Sequence, residues 1–219
     1  LKSAVLKDGV LSIGDSAFEN CTTLATINIP STVTSIGSNA FNNTAWYNTL
    51  YSNSSDGFIV IGATAYVYKG TIPTSISIPN NVKCIGANLF NSSSITDVTI
   101  PSGVLEIRYR AFRNCANLTT VSLPATIETI GNDAFVNCTS LTGDLQLPSI
   151  KTIGNWSFIG TKITSVTIGS QITSLGAQAF QNCTDLITVT INAATPPNLG
   201  SNVFDGDTSL AHIYVPSGS

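Results

Sequence analysis

The sequence predicts a strand-dominated α/β solenoid of about nine stacked coils, on the basis of two regular spacings of apolar residues. The first is a series of phenylalanines that recur every 22 to 24 residues, apart from one gap of 49: Phe18, Phe41, Phe90, Phe112, Phe135, Phe158, Phe180 and Phe204. The second is an aliphatic residue followed by Pro or Gly: Ile29-Pro30, Ile78-Pro79, Ile100-Pro101, Leu123-Pro124, Leu147-Pro148, Ile168-Gly169 and Val215-Pro216. The two markers are in phase, which indicates a repeat of about 23 residues.

One repeat, residues 118–141, shows how each coil is built. Val121 and Leu123 alternate with polar residues, which is typical of a short strand with one buried face. Ile127 and Ile130 predict a second extended segment, and the apolar residues of 134–138 have the spacing of a short helix or 3₁₀ turn. One such unit cannot bury its apolar face alone, so neighbouring units must stack at about 4.8 Å to form a continuous core.

The composition excludes two classes of function. Only 10% of the 219 residues are charged and the net charge is −3, so the chain lacks the basic surface that nucleic acid requires. No apolar run approaches the roughly 20 residues that a membrane span needs.

Because the sequence contains no Met, we expect a signal or anchor segment to precede Leu1 in the native polypeptide.

The repeat resembles a known family. Its pattern L-x-x-V-x-I-P-x-x-V-x-x-I-G-x-x-A-F-x-N-C-x-x-L is similar to the BspA-like, or Treponema-type, leucine-rich repeat, and the A-F-x-N-C element is complete at 111–115, 134–138 and 179–183. The resemblance covers nearly the whole chain and implies a right-handed leucine-rich-repeat solenoid that forms a single domain over residues 1–219. It further implies a secreted or cell-surface location and a role in adhesion to host proteins or other cells.

Residues 44–70 depart from the repeat and contain six of the 17 aromatic residues. Two alternating runs, 58–61 and 66–68, flank a Gly-containing link and predict a hairpin-like insertion. One hypothesis is a projecting aromatic patch for binding, formed by Trp46, Tyr47, Tyr51, Tyr66 and Tyr68. The alternative is that Trp46 and Phe58 lie beneath the hairpin and replace the missing repeat core.

The sequence indicates no catalytic site, no metal site and no cofactor. The only imidazole, His212, aligns with outward strand positions and lacks the partners of a nucleophilic triad. The 12 carboxylates are spread over different coils, whereas a glycan-cleaving enzyme clusters two of them in one cleft. Asp205 and Asp207 flank a glycine but supply too few ligands for calcium, so we predict a turn there.

The cysteines fall into two groups. Four of them lie three residues after a repeat phenylalanine and are predicted to be small buried residues with free thiols: Cys21, Cys115, Cys138 and Cys183. Cys84 instead aligns with polar residues such as Ser35 and Thr129 of other coils. We therefore predict that the Cys84 thiol faces solvent.

Two further surfaces are candidates for binding. The three arginines of the chain, Arg108, Arg110 and Arg113, predict a small basic spot, with ion pairs to Glu106 and Asp133 as the alternative. The outward strand positions predict a flat, hydroxyl-rich face that includes Thr120, Ser122, Ser165, Thr167, Thr188 and Thr190.

These observations predict a non-enzymatic adhesion or protein-binding surface whose partner is a host or cell-surface protein or a glycan. The first alternative is a structural spacer within a larger surface protein, and the second is a glycan-active enzyme. We expect a monomer that associates weakly end to end, because a solenoid exposes the apolar edges of its terminal coils unless polar caps cover them.

Overall fold

The repeat forms a β-solenoid of about nine coils, as the sequence predicts. The computed structural model describes residues 1–216. Within each regular coil the backbone makes two short strands and one turn, and each of these segments hydrogen-bonds to the equivalent segments of the neighbouring coils.

The first strand row contains the strands that precede the Pro or Gly marker, and all its pairings are parallel. It consists of three sheets. These contain β1 (Ser3–Val5) and β3 (Thr26–Asn28); β7 (Ser75–Ser77), β9 (Asp97–Thr99) and β11 (Thr120–Ser122); and β13 (Thr142–Leu147), β15 (Lys162–Ile168), β17 (Thr188–Ile191) and β19 (His212–Tyr214).

The second strand row consists mostly of two-residue strands in which a polar residue faces out and an aliphatic residue faces the core. One parallel pair joins β2 (Ser12–Ile13) and β4 (Ser35–Ile36). The remaining strands form one eight-stranded sheet: β5 (Gly57–Ile61), β6 (Thr64–Lys69), β8 (Cys84–Ile85), β10 (Glu106–Ile107), β12 (Thr129–Ile130), β14 (Thr152–Ile153), β16 (Ser174–Leu175) and β18 (Asn198–Leu199).

The third side of each coil is a turn, and the predicted short helix or 3₁₀ segment is wrong there. Asp133 and Asn137 have φ angles of +57° and +58°, which interrupt any right-handed helix. The backbone N–H groups between them alternate in direction. Phe135 donates to the carbonyl of Ser157 in the next coil at 2.7 Å, whereas Val136 donates within its own turn. The turn therefore acts as a third row of hydrogen bonds between coils.

The core is a stack of phenylalanine rings along the solenoid axis. From Phe90 to Phe204, neighbouring rings have centroids 5.0 to 5.7 Å apart and are nearly parallel. Phe18 and Phe41 form a separate stacked pair at 5.7 Å. The ring spacing follows the strand spacing of about 4.8 Å, since each coil contributes one ring.

The insertion separates the two stacks and the two apolar clusters that surround them. Strands β5 and β6 form the predicted antiparallel hairpin, and β6 continues the second strand row by pairing with β8. The structure adds one helix that the sequence analysis did not predict, α1 (Ala45–Asn53).

The expectation that the Cys84 thiol faces solvent is wrong. Cys84 is 1% exposed, and its Sγ lies 3.5 Å from Oε2 of Glu106 and 3.8 Å from Oγ of Ser35. The equivalent position in other coils holds a polar residue, but side chains of other coils cover the Cys84 thiol. Burial raises the pKa of the Cys84 thiol to about 12. All five cysteines are free, and Cys21 is the only one that is half-exposed.

Truncation of one ring in the stack tests the predicted core. Phe135, Ala134, Ile130 and Leu141 are at most 1% exposed, whereas Val121, also predicted to point inward, is half-buried. Phe135→Ala should lower the free energy of unfolding by about 3 to 5 kcal/mol, through lost transfer energy and the cavity that remains. Denaturant-induced unfolding measures this change, and a loss below about 1 kcal/mol would contradict the stacked-ring core.

Asp207 should make stability pH-dependent. Its Oδ1 accepts the backbone N–H of Cys183 at 2.8 Å, but its buried Oδ2 has no hydrogen-bond partner within residues 1–216. Burial raises the pKa of Asp207 from 3.8 to about 7. Because the folded pKa is the higher one, the unfolded chain loses this proton first, and the free energy of unfolding falls as pH rises from about 4 to about 7.

Asp207→Asn should flatten this decline, since the amide keeps the acceptor and cannot ionise. Thermal unfolding of both proteins at several pH values between 4 and 8 measures the difference. Parallel declines in the two proteins would show that ionisation of Asp207 does not control the slope.

Candidate binding surface

The helix α1 is short, but contacts at both of its ends hold it in place. The side chain of Thr44 accepts the backbone N–H of Tyr47 at 3.0 Å and so caps the N-terminus. At the other end, Nζ of Lys69 donates to the carbonyl oxygens of Tyr51 at 2.8 Å and Ser54 at 2.6 Å. A cation at a helix C-terminus is also electrostatically favourable. Lys69 lies in β6, so this contact ties the helix to the hairpin.

The aromatic residues of the insertion divide between the core and the surface. Trp46 is half-buried, and its ring centroid lies 4.9 Å from that of Phe41. Phe58 packs edge-on against Phe90 at 6.1 Å, and Tyr68 packs edge-on against Phe58 at 5.1 Å. These three side chains therefore extend the core into the insertion.

The other three tyrosines form a surface that we call the tyrosine patch: Tyr47, Tyr51 and Tyr66. The ring centroid of Tyr47 lies 6.2 Å from that of Tyr51 and 5.6 Å from that of Tyr66. Tyr51 is 37% exposed, and the other two rings are half-buried. Burial raises the pKa of Tyr47 to about 12 and also raises that of Tyr66, so these hydroxyls stay neutral at physiological pH.

Two shallow depressions meet at Tyr47. One has a volume of about 430 Å³ and is lined by Tyr47, Asn48, Tyr51 and Ser52. The other has a volume of about 180 Å³ and is lined by Tyr47, Tyr66, Asn39, Asn42, Val67, Ala87, Asn88 and Leu89. The lining is aromatic, amide, hydroxyl and aliphatic, with no charged side chain. It can supply apolar contact area together with neutral hydrogen-bond donors and acceptors.

The asparagines of this surface, Asn39, Asn42 and Asn88 among them, do not stand out in the sequence. Asn39 and Asn88 occupy the first of the two turn positions at which φ is positive in each coil, with φ of +56° and +59°. Other coils place Ser, Arg, Asp, Trp or Gln at this position with the same positive φ, so turn geometry accounts for Asn39 and Asn88 and the sequence carries no separate binding signal there. Only the contact with the insertion places these two residues beside tyrosines.

Two of the three arginines are paired with carboxylates, so the arginines do not form one free basic spot. Arg108 contacts Asp15 at 3.3 Å and Glu106 at 3.2 Å. Arg110 contacts Asp133 at 3.4 Å. The Nε of Arg113 is buried and has no hydrogen-bond partner within residues 1–216. An acidic ligand at Arg108 would have to displace two carboxylates.

The hydroxyl-rich face lies on the first strand row. Thr120 and Ser122 are exposed, whereas the remaining members of the face are half-exposed: Ser165, Thr167, Thr188 and Thr190. Ser165 pairs with Thr188 and Thr167 with Thr190, so the hydroxyls are in register. His212 and Tyr214 continue the same rows on the last strand, as the sequence predicts.

The described part of the chain contains neither a cluster of metal-binding side chains nor a helix that could span a membrane. Within residues 1–216, no three His, Cys, Asp or Glu side chains lie together as a possible metal site. No helix in this range has the length and hydrophobicity of a membrane span.

Solved structures of bacterial leucine-rich repeat proteins resemble this chain. A protein from Eubacterium ventriosum is 19% identical, with 99% of this chain and 85% of that chain covered and a TM-score of 0.56. The T. pallidum leucine-rich repeat protein is 21% identical, with 96% and 78% covered and a TM-score of 0.54. A protein from Bacteroides ovatus is 26% identical with a TM-score of 0.46, and this chain, 99% covered, spans 56% of its length. The likeness to the first two structures shows the fold.

No curated protein matches the sequence. A family model, by contrast, matches over the whole chain. The family model described as the BspA type leucine-rich repeat region matches in six copies, over residues 1–119, 59–187 and 106–219. With the solenoid fold, these overlapping matches show that the chain belongs to the BspA-type leucine-rich repeat family.

Proposed function

We propose that this chain is a non-enzymatic, secreted or cell-surface adhesion protein that binds a host or cell-surface protein through the tyrosine patch. The observation that supports this proposal is the set of three adjacent tyrosine rings on the irregular unit of the solenoid, of which Tyr51 is exposed and the other two are half-buried. The surface location and the adhesive role are what the family resemblance implies.

The chemistry of the tyrosine patch suits a protein partner. Tyrosine supplies a large contact area with little loss of side-chain entropy, and asparagine supplies adaptable hydrogen bonds, which is the combination found in antibody binding loops. The contacts of Thr44 and Lys69 fix the helix before binding, so little ordering cost remains. Lys69 lies beside the patch, with its Nζ 5.2 Å from the Tyr51 ring centroid.

The test is binding to a panel of immobilised host extracellular-matrix proteins, measured by surface plasmon resonance. Tyr47→Ala combined with Tyr51→Ala should weaken binding at least about tenfold, since truncated aromatic hot spots commonly cost that much. Thr44 and Lys69 stay in place in this variant, so the helix caps remain.

Tyr214→Ala is the matched control, because Tyr214 is also an exposed tyrosine, 55% accessible, but lies on the last strand. The control should bind as the unchanged protein does. Equal affinities of the control and the double variant would overturn the tyrosine patch as the binding surface. If the unchanged protein binds none of the matrix proteins, a spacer role is favoured instead.

We also propose weak end-to-end association of the isolated chain. Leu199, Ile213 and Val215 of the last coils are 51 to 60% exposed, and they line an apolar hollow of about 270 Å³ with Phe204. The first coil likewise exposes Val5, at 74%. Burial of one end against the other would be a head-to-tail contact, which does not close into a symmetric dimer.

Sedimentation velocity over a wide concentration range tests this association. The sedimentation coefficient should rise with concentration for the unchanged chain but not for Ile213→Lys, which places a charge in the apolar hollow. A strictly monomeric profile of the unchanged chain at the highest loading would show that the ends do not associate.

A further inference from the structure

A second concave surface runs over the second strand row, away from the insertion. It has a volume of about 520 Å³, and we call it the asparagine groove. One wall consists of Tyr109, Asn132 and Asn155, and the other of Thr129, Thr152 and Ser174. Glu106 and Arg108 also line it and form an ion pair at 3.2 Å. The groove is therefore polar without a surplus of charge.

Glycines in the lining keep the groove open, because the backbone of the preceding coil leaves no room for a side chain at these positions. A Cβ at Gly131 would lie 2.8 Å from the backbone carbonyl carbon of Arg108, and a Cβ at Gly154 would lie 2.5 Å from the backbone nitrogen of Asn132. Any side chain there would collide with the preceding coil, so these positions stay empty of side chains. Arg108 stands at the equivalent position of its own coil and fills it.

The asparagines of the groove have oriented amide groups with spare donors. Oδ1 of Asn132 accepts the backbone N–H of Asn155 at 2.8 Å, and Oδ1 of Asn155 accepts that of Ala177 at 2.7 Å. These bonds fix which end of each amide is the oxygen. Neither Nδ2 group donates a hydrogen bond within residues 1–216. The same donor is thus presented in two successive coils.

One exposed aromatic residue, Tyr109, lines the groove, and a second, Trp156, adjoins Asn155 in the chain. Tyr109 is 36% exposed, and the guanidinium carbon of Arg110 lies 4.4 Å from its ring centroid. Trp156, which follows Asn155, is 40% exposed and donates from Nε1 to Gln178 at 2.7 Å. Trp156 occupies the first turn position, at which φ is positive in each coil, and its own φ is +57°.

We propose that the asparagine groove binds a neutral oligosaccharide. The hydroxyls of a sugar both donate and accept hydrogen bonds, as the threonine hydroxyls and asparagine amides of the groove do, and the C–H face of a pyranose packs on an aromatic ring. Equivalent groups recur at about 4.8 Å from coil to coil, close to the length of one sugar unit in an extended chain. The low net charge of the lining disfavours phosphorylated ligands.

An extended peptide fits this surface less well. Peptides that bind to sheets add a strand at an unpaired edge. The strands under the groove, β12 and β14, are paired on both sides, so they offer no free backbone groups. The groove is separate from the tyrosine patch, and the two proposals therefore stand or fall independently.

The experiment is a titration of the ¹⁵N-labelled chain with cellotetraose, maltotetraose and tri-N-acetylchitotriose, followed by NMR. At least one sugar should shift the side-chain amide signals of Asn132 and Asn155 with a dissociation constant in the millimolar range or below. Tyr109→Ala and Thr152→Val should each weaken that binding, the first at least about fivefold. Thermal unfolding of each variant checks that it remains folded.

Tyr214→Ala and Thr188→Val are the matched controls, because they remove the same groups from the first strand row. They should bind the sugar unchanged. The proposal is overturned if none of the three sugars binds, if the shifts lie at the tyrosine patch, or if the controls weaken binding as much as the groove variants. It is also overturned if an unstructured decapeptide of Gly, Ser and Asn shifts the groove amides and the sugars do not.

Discussion

The structure depends on one constraint: each coil must satisfy its backbone hydrogen bonds with the coils on either side. Three rows of such bonds run along the solenoid, two between strands and one between turns such as that of Phe135 and Ser157. They fix the spacing of coils, so one aromatic ring per coil fills the core. They also require glycine where coils approach closely and a positive φ at two turn positions in each coil.

The tyrosine patch arises where this constraint is interrupted. Strand β6 keeps the hydrogen bonds of the second strand row, but its coil contributes no ring to the phenylalanine stack. Trp46 and Phe58 extend the two stacks from either side of the gap. Tyr47 and Tyr66 pack against the same apolar cluster as Trp46 but remain half-buried, and Tyr51 is left exposed at the surface.

The sequence predicts the features that repeat and misses those that depend on single contacts. The positions of Phe135 and Ile130 in the core follow from periodicity alone. Helix α1 has no buried residue and is held by Thr44 and Lys69, so its apolar pattern carries no signal. The burial of Cys84 depends on side chains of other coils, which alignment of one slot cannot show. The asparagine groove is likewise not predictable from the sequence, because the orientation of its amides depends on hydrogen bonds to the next coil.

The two surfaces differ in origin, and this difference bears on what each can recognise. The asparagine groove is a product of regularity, since the same glycine, threonine and asparagine positions recur in successive coils. A ligand that matches it should itself repeat along its length, as a glycan does. The tyrosine patch exists once and combines residues from the turn side, the helix and the hairpin. Its ligand needs no repeat, which fits a folded protein partner and leaves the rest of the solenoid free to bind a polymer at the same time.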